Sequence, residues 1–113
     1  MRYGLPDEAT QEIRAVLARY PEVEKAILYG SRAMGNFRPG SDIDLTLTGE
    51  KLTHDHLLGI ISDLDDLLLP WMIDLSLFAE LDHPGLLEHI NRVGLTLYGR
   101  EDEESAPHRS RGA

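Results

Sequence analysis

The chain has 113 residues, a net charge of −9 and no cysteine. This length fits one domain with a small core, and the composition excludes a disulfide framework or a thiolate metal site. The acidic balance disfavours unaided binding to nucleic acids and would attract a basic partner protein. No apolar run reaches the roughly 20 residues of a membrane helix, and the acidic N-terminus does not resemble a secretion signal, so we expect a cytoplasmic protein.

The first predicted elements are a helix, a strand and a turn. The segment LPDEATQEIRAVLARYPE predicts a helix, with Pro6 and two acids in its first turn and Pro21 at its end. The apolar run KAILYG is typical of a buried strand. After it, Ser31 can cap a short helix over residues 32–35.

Strands and helices then alternate. Asp42 to Thr48 alternate polar and apolar residues, which predicts a half-buried strand. THDHLLGIISDLDDLLLP predicts a helix that Pro70 closes, with a buried stripe of Leu57, Ile61, Leu64 and Leu68. A strand in WMIDLSLF, a helix in DHPGLLEHINRVG and a strand in LTLYG follow. The order predicts an α/β domain over residues 1–99, and the charged segment 100–113 is read as a mobile tail.

Three aspartates form a candidate metal site. Asp42 and Asp44 lie on one face of a strand, about 6.6 Å apart along it at roughly 3.3 Å per residue. Asp74 interrupts the apolar strand WMIDLSLF, where an unpaired charge would be costly. If the two strands are neighbours, the carboxylates meet, and an all-oxygen cluster selects Mg²⁺ or Mn²⁺.

The turn after the first strand is a candidate phosphate site. Backbone N–H groups and the helix dipole favour an anion there, glycine permits close approach, and a serine hydroxyl can donate. Arginines in the same loop add positive charge. Two metal ions held by the aspartates can activate an attacking oxygen and stabilise departing pyrophosphate, so the residues indicate nucleotidyl transfer. The predicted nucleotide-binding set is Gly30, Ser31, Arg32, Arg38 and Ser41.

These motifs resemble the DNA polymerase β-like nucleotidyltransferases. Gly30-Ser31, ten intervening residues and Asp42-Ile43-Asp44 match the G-S-x10-D-x-D motif of that family. The size and layout between about residues 12 and 98 resemble its minimal nucleotidyltransferase branch. The resemblance implies a small mixed sheet packed with helices.

The family also implies roles for the site residues. Asp42 and Asp44 would bind both Mg²⁺ ions, and Asp74 would bind the catalytic ion and help to activate the nucleophile. Gly30 and Ser31 would hold the triphosphate of ATP.

Minimal nucleotidyltransferases are commonly paired with a small helical partner of the HEPN or substrate-binding type. In characterised toxin–antitoxin pairs, the antitoxin adenylylates a tyrosine of the toxin. The resemblance therefore implies Mg²⁺-dependent transfer of AMP from ATP to a tyrosine of a cognate HEPN-type toxin. One departure is Met34, where many relatives carry a basic residue. The alternatives are a small-molecule nucleotidyltransferase that works with a helical substrate-binding subunit, and a non-catalytic antitoxin that acts by binding.

Several residues also have simpler interpretations. Asp74 could be a buried acid paired with an arginine, and Arg38 could be an ordinary surface residue. His54 and His56 suggest a zinc site, but side chains two positions apart on a helix point in different directions. Trp71 fits the core or the end of the sheet better than a base-stacking platform.

Overall fold

A four-stranded mixed sheet organises residues 2–101, the part of the chain that the computed structural model describes. The predicted order of elements and the α/β fold class are confirmed. No helix within residues 2–101 is both long and apolar enough to cross a membrane. The elements are α1 (Asp7–Ala18), β1 (Lys25–Tyr29), α2 (Ser31–Met34), β2 (Ile43–Thr48), α3 (His54–Asp65), β3 (Ile73–Leu77), a 3-10 turn (Phe78–Glu80), α4 (Pro84–Val93) and β4 (Leu95–Gly99).

The strand order places the two aspartate-bearing strands side by side. The order is β3-β2-β1-β4, with β2 parallel to β3 and antiparallel to β1. In this register Asp44 pairs with Asp74 on one side and with Tyr29 on the other. Neighbouring strands are about 4.8 Å apart, so the predicted meeting of the aspartates follows from the topology.

One face of the sheet carries the core. Its strands contribute every second residue, and α1 and α3 contribute the apolar stripes that cover them. The fully buried side chains of this layer include Ile13, Leu17, Leu28, Ile43, Leu45, Leu47 and Ile60.

The opposite face carries the polar residues. Directly paired residues project from the same face, so Tyr29, Asp44 and Asp74 share it. Two residues further along, the Ser76 hydroxyl donates to Thr46 Oγ1 at 3.0 Å, which links β3 to β2. Helix α4 packs beside this face, where the ring of His89 meets that of Tyr29 edge-on at 6.2 Å.

Helix α3 ends earlier than its apolar pattern predicts. Its last residue is Asp65, and the amides of Leu67 and Leu68 then bond the carbonyls three residues back. The prediction that Leu68 lies in the buried stripe is wrong, because this residue adopts a φ of 57° and is 87% exposed. Leu67 and Leu69 still pack against the core, from a non-helical segment. The helical spacing of apolar residues in the sequence therefore extends beyond the last residue of α3.

The N-terminal caps of α2 and α3 are residues that were not predicted as caps from the sequence. Ser31 is not a cap: α2 begins with it, and Gly30 occupies the N-cap position without a side-chain cap bond. At α3, Thr53 accepts from the amide of His56, while His56 Nδ1 accepts from the amide of Thr53 at 3.0 Å. That capping box gives His56 a structural task in place of zinc binding.

The predicted boundary between domain and tail falls beside an anchored residue. The backbone amide of Arg100 donates to the carbonyl of Glu24 at 2.9 Å, and its guanidinium donates to the carbonyls of Val23 and Tyr20. The rest of the predicted tail, residues 102–113, lies outside the described residues.

Candidate active site

The carboxylates meet where β2 and β3 begin. Asp44 and Asp74 are the second residues of these parallel strands and lie directly opposite each other. Asp42 is exposed and lies just before β2, two residues from Asp44. The parallel register therefore brings together Asp44 and Asp74, which are 30 residues apart in the sequence, and Asp42 lies close enough for its charge to act on Asp44.

Like charges concentrate on Asp44. Partial burial raises its pKa above the ordinary aspartate value, and the negative charges of Asp74 and Asp42 raise it further, while His89, when it is protonated, opposes the rise. The same charges act on Tyr29: burial chiefly raises the pKa of its phenol, and Asp44 and Asp74 add to this, while a hydrogen bond with Ser76 opposes it. This face of the sheet would thus be stabilised by a cation.

Gly30 sits against one of these carboxylates. Its φ of 75° and ψ of −157° lie in a region that essentially only glycine adopts. A Cβ at this position would collide with Asp44 Oδ2. The conformation therefore brings the start of α2, including the half-buried Ser31, next to the aspartates. The sequence predicts that glycine at position 30 lets the backbone approach a phosphate. The structure shows that glycine is also required here because the backbone lies against Asp44.

Arg32 has an internal position. Only 2% of it is exposed, and its guanidinium donates to the carbonyl oxygens of Tyr3 at 2.9 Å and Ser41 at 2.8 Å. The guanidinium carbon also lies 5.2 Å from the ring centre of Phe37 and 5.8 Å from that of Trp71. Burial lowers the pKa of the Arg32 guanidinium, and Asp42 counteracts this. In this structure Arg32 ties the loop before β2 to the N-terminal segment and does not reach out as a phosphate ligand.

The other loop residues divide into supports and exposed groups. The Ser41 hydroxyl accepts from the backbone amide of Arg38 at 2.8 Å, which closes the turn that precedes Asp42. Trp71 donates from its indole to the carbonyl of Pro39 at 3.2 Å, so it holds the same loop at the end of the sheet. The side chain of Arg38 is exposed. The loop that delivers Asp42 is thus fixed by contacts at Arg38, Pro39 and Ser41.

Two neighbours of the aspartates were missed from the sequence. His89 accepts a hydrogen bond from the backbone amide of Gly30 at 3.1 Å, across 59 residues of sequence. Tyr29 faces Asp44 across the β1–β2 pair. Tyr29 could have been placed from its alternation with Ile27 on β1. His89 had no sequence signal, because its position depends on how α4 packs on the sheet.

The chemistry of the donor set fits a hard divalent ion. The aspartates supply only oxygen ligands, and the electrostatic strain at Asp44 is the kind that a cation relieves. Within residues 2–101 no three or more His, Asp and Glu side chains are arranged as a group that could hold a metal ion by themselves. Mg²⁺ commonly binds through one or two carboxylates together with substrate phosphates, so an incomplete protein ligand set is compatible with it.

Paired aspartates on a mixed sheet, beside a glycine-serine turn from strand to helix, define a nucleotidyltransferase type of site. The sequence profile described as "Polymerase beta, Nucleotidyltransferase" matches residues 11–103. The chain belongs to this family. A comparison with curated proteins found no match.

Solved structures share the fold. A chain of a toxin–antitoxin complex with AMP-PNP has a TM-score of 0.65 at 22% identity, with 84% of this chain and 77% of that chain covered. A chain of the complex between a tri-AMPylated HEPN toxin and an MNT antitoxin from Shewanella oneidensis has a TM-score of 0.62 at 18% identity, with coverage of 88% and 77%. A chain of an MntA–HepT toxin–antitoxin structure has a TM-score of 0.62 at 17% identity, with coverage of 89% and 79%. The resemblance to minimal nucleotidyltransferases is confirmed at the level of fold.

Proposed function

We propose that this chain transfers AMP from ATP to a tyrosine hydroxyl of a HEPN-type toxin, as the antitoxin of a toxin–antitoxin pair. The observation that carries the proposal is the parallel register of β2 and β3, which sets Asp44 opposite Asp74 beside the Gly30 turn. The relatives of similar fold include a complex with AMP-PNP and a complex with a tri-AMPylated HEPN toxin. Those properties belong to the relatives and support the proposal for this chain.

The aspartates would hold Mg²⁺, with Mn²⁺ as a substitute. Asp44 and Asp74 lie opposite each other at the starts of β2 and β3, and Asp42 lies two residues before Asp44, so all three would reach the ion from the same end of the two strands. When bound, the metal supplies charge stabilisation for the triphosphate and acidifies the acceptor hydroxyl.

The turn after β1 would hold the triphosphate. The Ser31 hydroxyl is free of any capping bond and can donate to a phosphate oxygen, as can backbone amides at the start of α2. Gly30 keeps this turn against Asp44, and Arg32 with Ser41 fixes the loop that carries Asp42. In this assignment Arg38 is an exposed group that can reach the phosphates, and Arg32 positions the loop.

At the α-phosphorus, the reaction forms one bond and breaks one. The acceptor oxygen bonds to the α-phosphorus of ATP, the bond from that phosphorus to the bridging oxygen breaks, and pyrophosphate leaves. The hydroxyl proton passes to solvent. Asp74, on the edge strand of the sheet, is exposed and faces the side from which an acceptor can approach. A partner that presents a tyrosine there completes the site.

The test uses the purified chain, ATP and Mg²⁺ with the helical protein encoded beside it, and intact-mass spectrometry of that partner. We expect the partner to gain AMP adducts on tyrosine and Asp74→Asn to stop the gain while the complex still assembles. Asp82→Asn is the matched control, because Asp82 is also exposed but follows the opposite end of β3. Unmodified partner, or full modification by Asp74→Asn, would count against the proposal.

A further inference from the structure

The amide of Gly30 has an unusual partner. In the sheet, β1 pairs with β2 up to Tyr29 and with β4 up to Leu28, and Gly30 lies beyond both ladders. Its N–H then bonds His89 Nε2 at 3.1 Å, so a side chain from α4 replaces a strand as the acceptor. A ring nitrogen can accept only when it carries no proton, which assigns the proton of the neutral imidazole to Nδ1.

His89 is itself held in place. Helix α4 starts with Pro84, and its first turn is capped by His83, whose side chain accepts from the amide of Leu86 at 3.0 Å. Ile90, the residue after His89, is buried, with only 2% of its surface exposed. On its other side, the imidazole packs edge-on against Tyr29, with an interplanar angle of 81°. The acceptor is therefore presented from a capped helix that Ile90 anchors to the rest of the domain.

The bond acts at a strained point of the candidate phosphate site. Gly30 occupies a sparsely populated backbone region, and such conformations persist only where surrounding contacts fix them. Asp44 restricts Gly30 from the side of β2. The N–H of Gly30 belongs to the peptide bond between Tyr29 and Gly30. Rotation of this peptide would redirect Ser31, the first residue of α2. The hydrogen bond from Gly30 to His89 opposes that rotation.

We propose that His89 is a positioning residue of the nucleotide site: it fixes the Gly30 peptide so that Ser31 and the start of α2 face the phosphates of ATP. This inference rests on the proposed function, because it takes ATP as the ligand of the turn. His89 does not itself bond the substrate in this assignment. Its effect on the ligand passes through the backbone of Gly30.

The test compares substitutions that keep or remove the acceptor. His89→Gln places an amide oxygen near the position of Nε2, whereas His89→Leu has a similar size and no acceptor. Asn91→Leu is the control, since Asn91 is exposed on the same helix. If His89→Leu folds poorly, His89→Asn takes its place, because its shorter side chain cannot reach Gly30.

Two measurements are needed. In nucleotide-free protein, NMR should show faster hydrogen exchange of the Gly30 amide in His89→Leu than in the wild type, His89→Gln or Asn91→Leu. With Mg²⁺, calorimetry should show ATP binding weakened about fivefold in His89→Leu, as expected for one net hydrogen bond, and restored in His89→Gln.

Equal ATP affinity in the wild type and His89→Leu would overturn the inference, as would a loss in His89→Gln as large as that in His89→Leu. Failure of the proposed function looks different, because the wild type would then bind no ATP. The exchange of the Gly30 amide would still report whether His89 holds the turn.

Discussion

Replacing Gly30 with alanine tests the closest backbone approach in the site. At the φ of 75° and ψ of −157° of Gly30, a residue with a Cβ carries a strain of about 1–3 kcal/mol. The new methyl group would also collide with Asp44 Oδ2, and moving that side chain off its rotamer costs on the order of 0.5–1.5 kcal/mol. Together these effects predict that Gly30→Ala lowers the free energy of unfolding by about 1.5–4.5 kcal/mol.

The chain offers a matched control in Gly35. Gly35 also has a positive φ, 86°, but a Cβ there meets nothing within 4 Å. Gly35→Ala should therefore show the backbone strain alone, about 1–2 kcal/mol. The difference between the two variants reports the contact with Asp44 together with the less favourable backbone region of Gly30. Both should remain folded at 25 °C, since domains of this kind are stable by about 5–15 kcal/mol.

The assay combines urea unfolding with AMP transfer. Gly30→Ala should lower the stability more than Gly35→Ala and should abolish most of the transfer, because Asp44 is displaced from Asp74. Gly35→Ala should retain most of the activity. Equal destabilisation by the two variants, with transfer intact in Gly30→Ala, would refute the reasoning.

Three further predictions concern neighbouring residues. Arg32→Met leaves buried carbonyls without their donor, so urea unfolding should show that the free energy of unfolding falls by about 2–4 kcal/mol. At the exposed Arg38, the same substitution should change it by less than about 0.5 kcal/mol. Equal effects would contradict the internal role of Arg32. Ser31→Ala should change stability by less than about 0.5 kcal/mol, because no cap bond is lost. Calorimetry should nevertheless show ATP binding weakened about tenfold. A large loss of stability with normal ATP binding would contradict the role of Ser31 as a phosphate donor. The raised pKa of Asp44 makes its ionised form destabilising, so metal-free wild type should lose stability as pH rises from the ordinary aspartate pKa of about 3.9 through the raised folded value. Asp44→Asn should therefore be the more stable protein at neutral pH and should lose that advantage in acid; unfolding curves in EDTA that show no such pH dependence would contradict it.

The alternating strand around Asp44 predicted much of the site. Period-two spacing fixes which side chains share a face, so the sequence could place Asp42 and Asp44 together. The meeting of Asp44 with Asp74 depended on β2 and β3 being neighbours, which local sequence does not determine and the sheet order provides. The start of α2 was harder to place. Ser31 has the composition of a cap, but the conformation of Gly30 begins the turn one residue earlier.

Tertiary contacts explain the remaining differences. The loop around Arg32 has the residue types of a phosphate site. Only the folded structure shows that the guanidinium instead donates to the carbonyl of Tyr3 and lies near the ring of Trp71. Leu68 continues the spacing of α3 although the helix has ended. His89 reaches Gly30 from a distant helix, and local sequence does not encode that contact.

The position of the label in ATP tests the central claim most directly. The complex of this chain with its helical partner would be incubated with Mg²⁺ and ATP labelled at either the α- or the γ-phosphate, and labelled protein would then be counted. Nucleotidyl transfer predicts that α-label enters a partner tyrosine, that γ-label does not, and that Asp74→Asn stops the incorporation. Incorporation of γ-label, or α-label that enters at the wild-type rate with Asp74→Asn, would contradict the account.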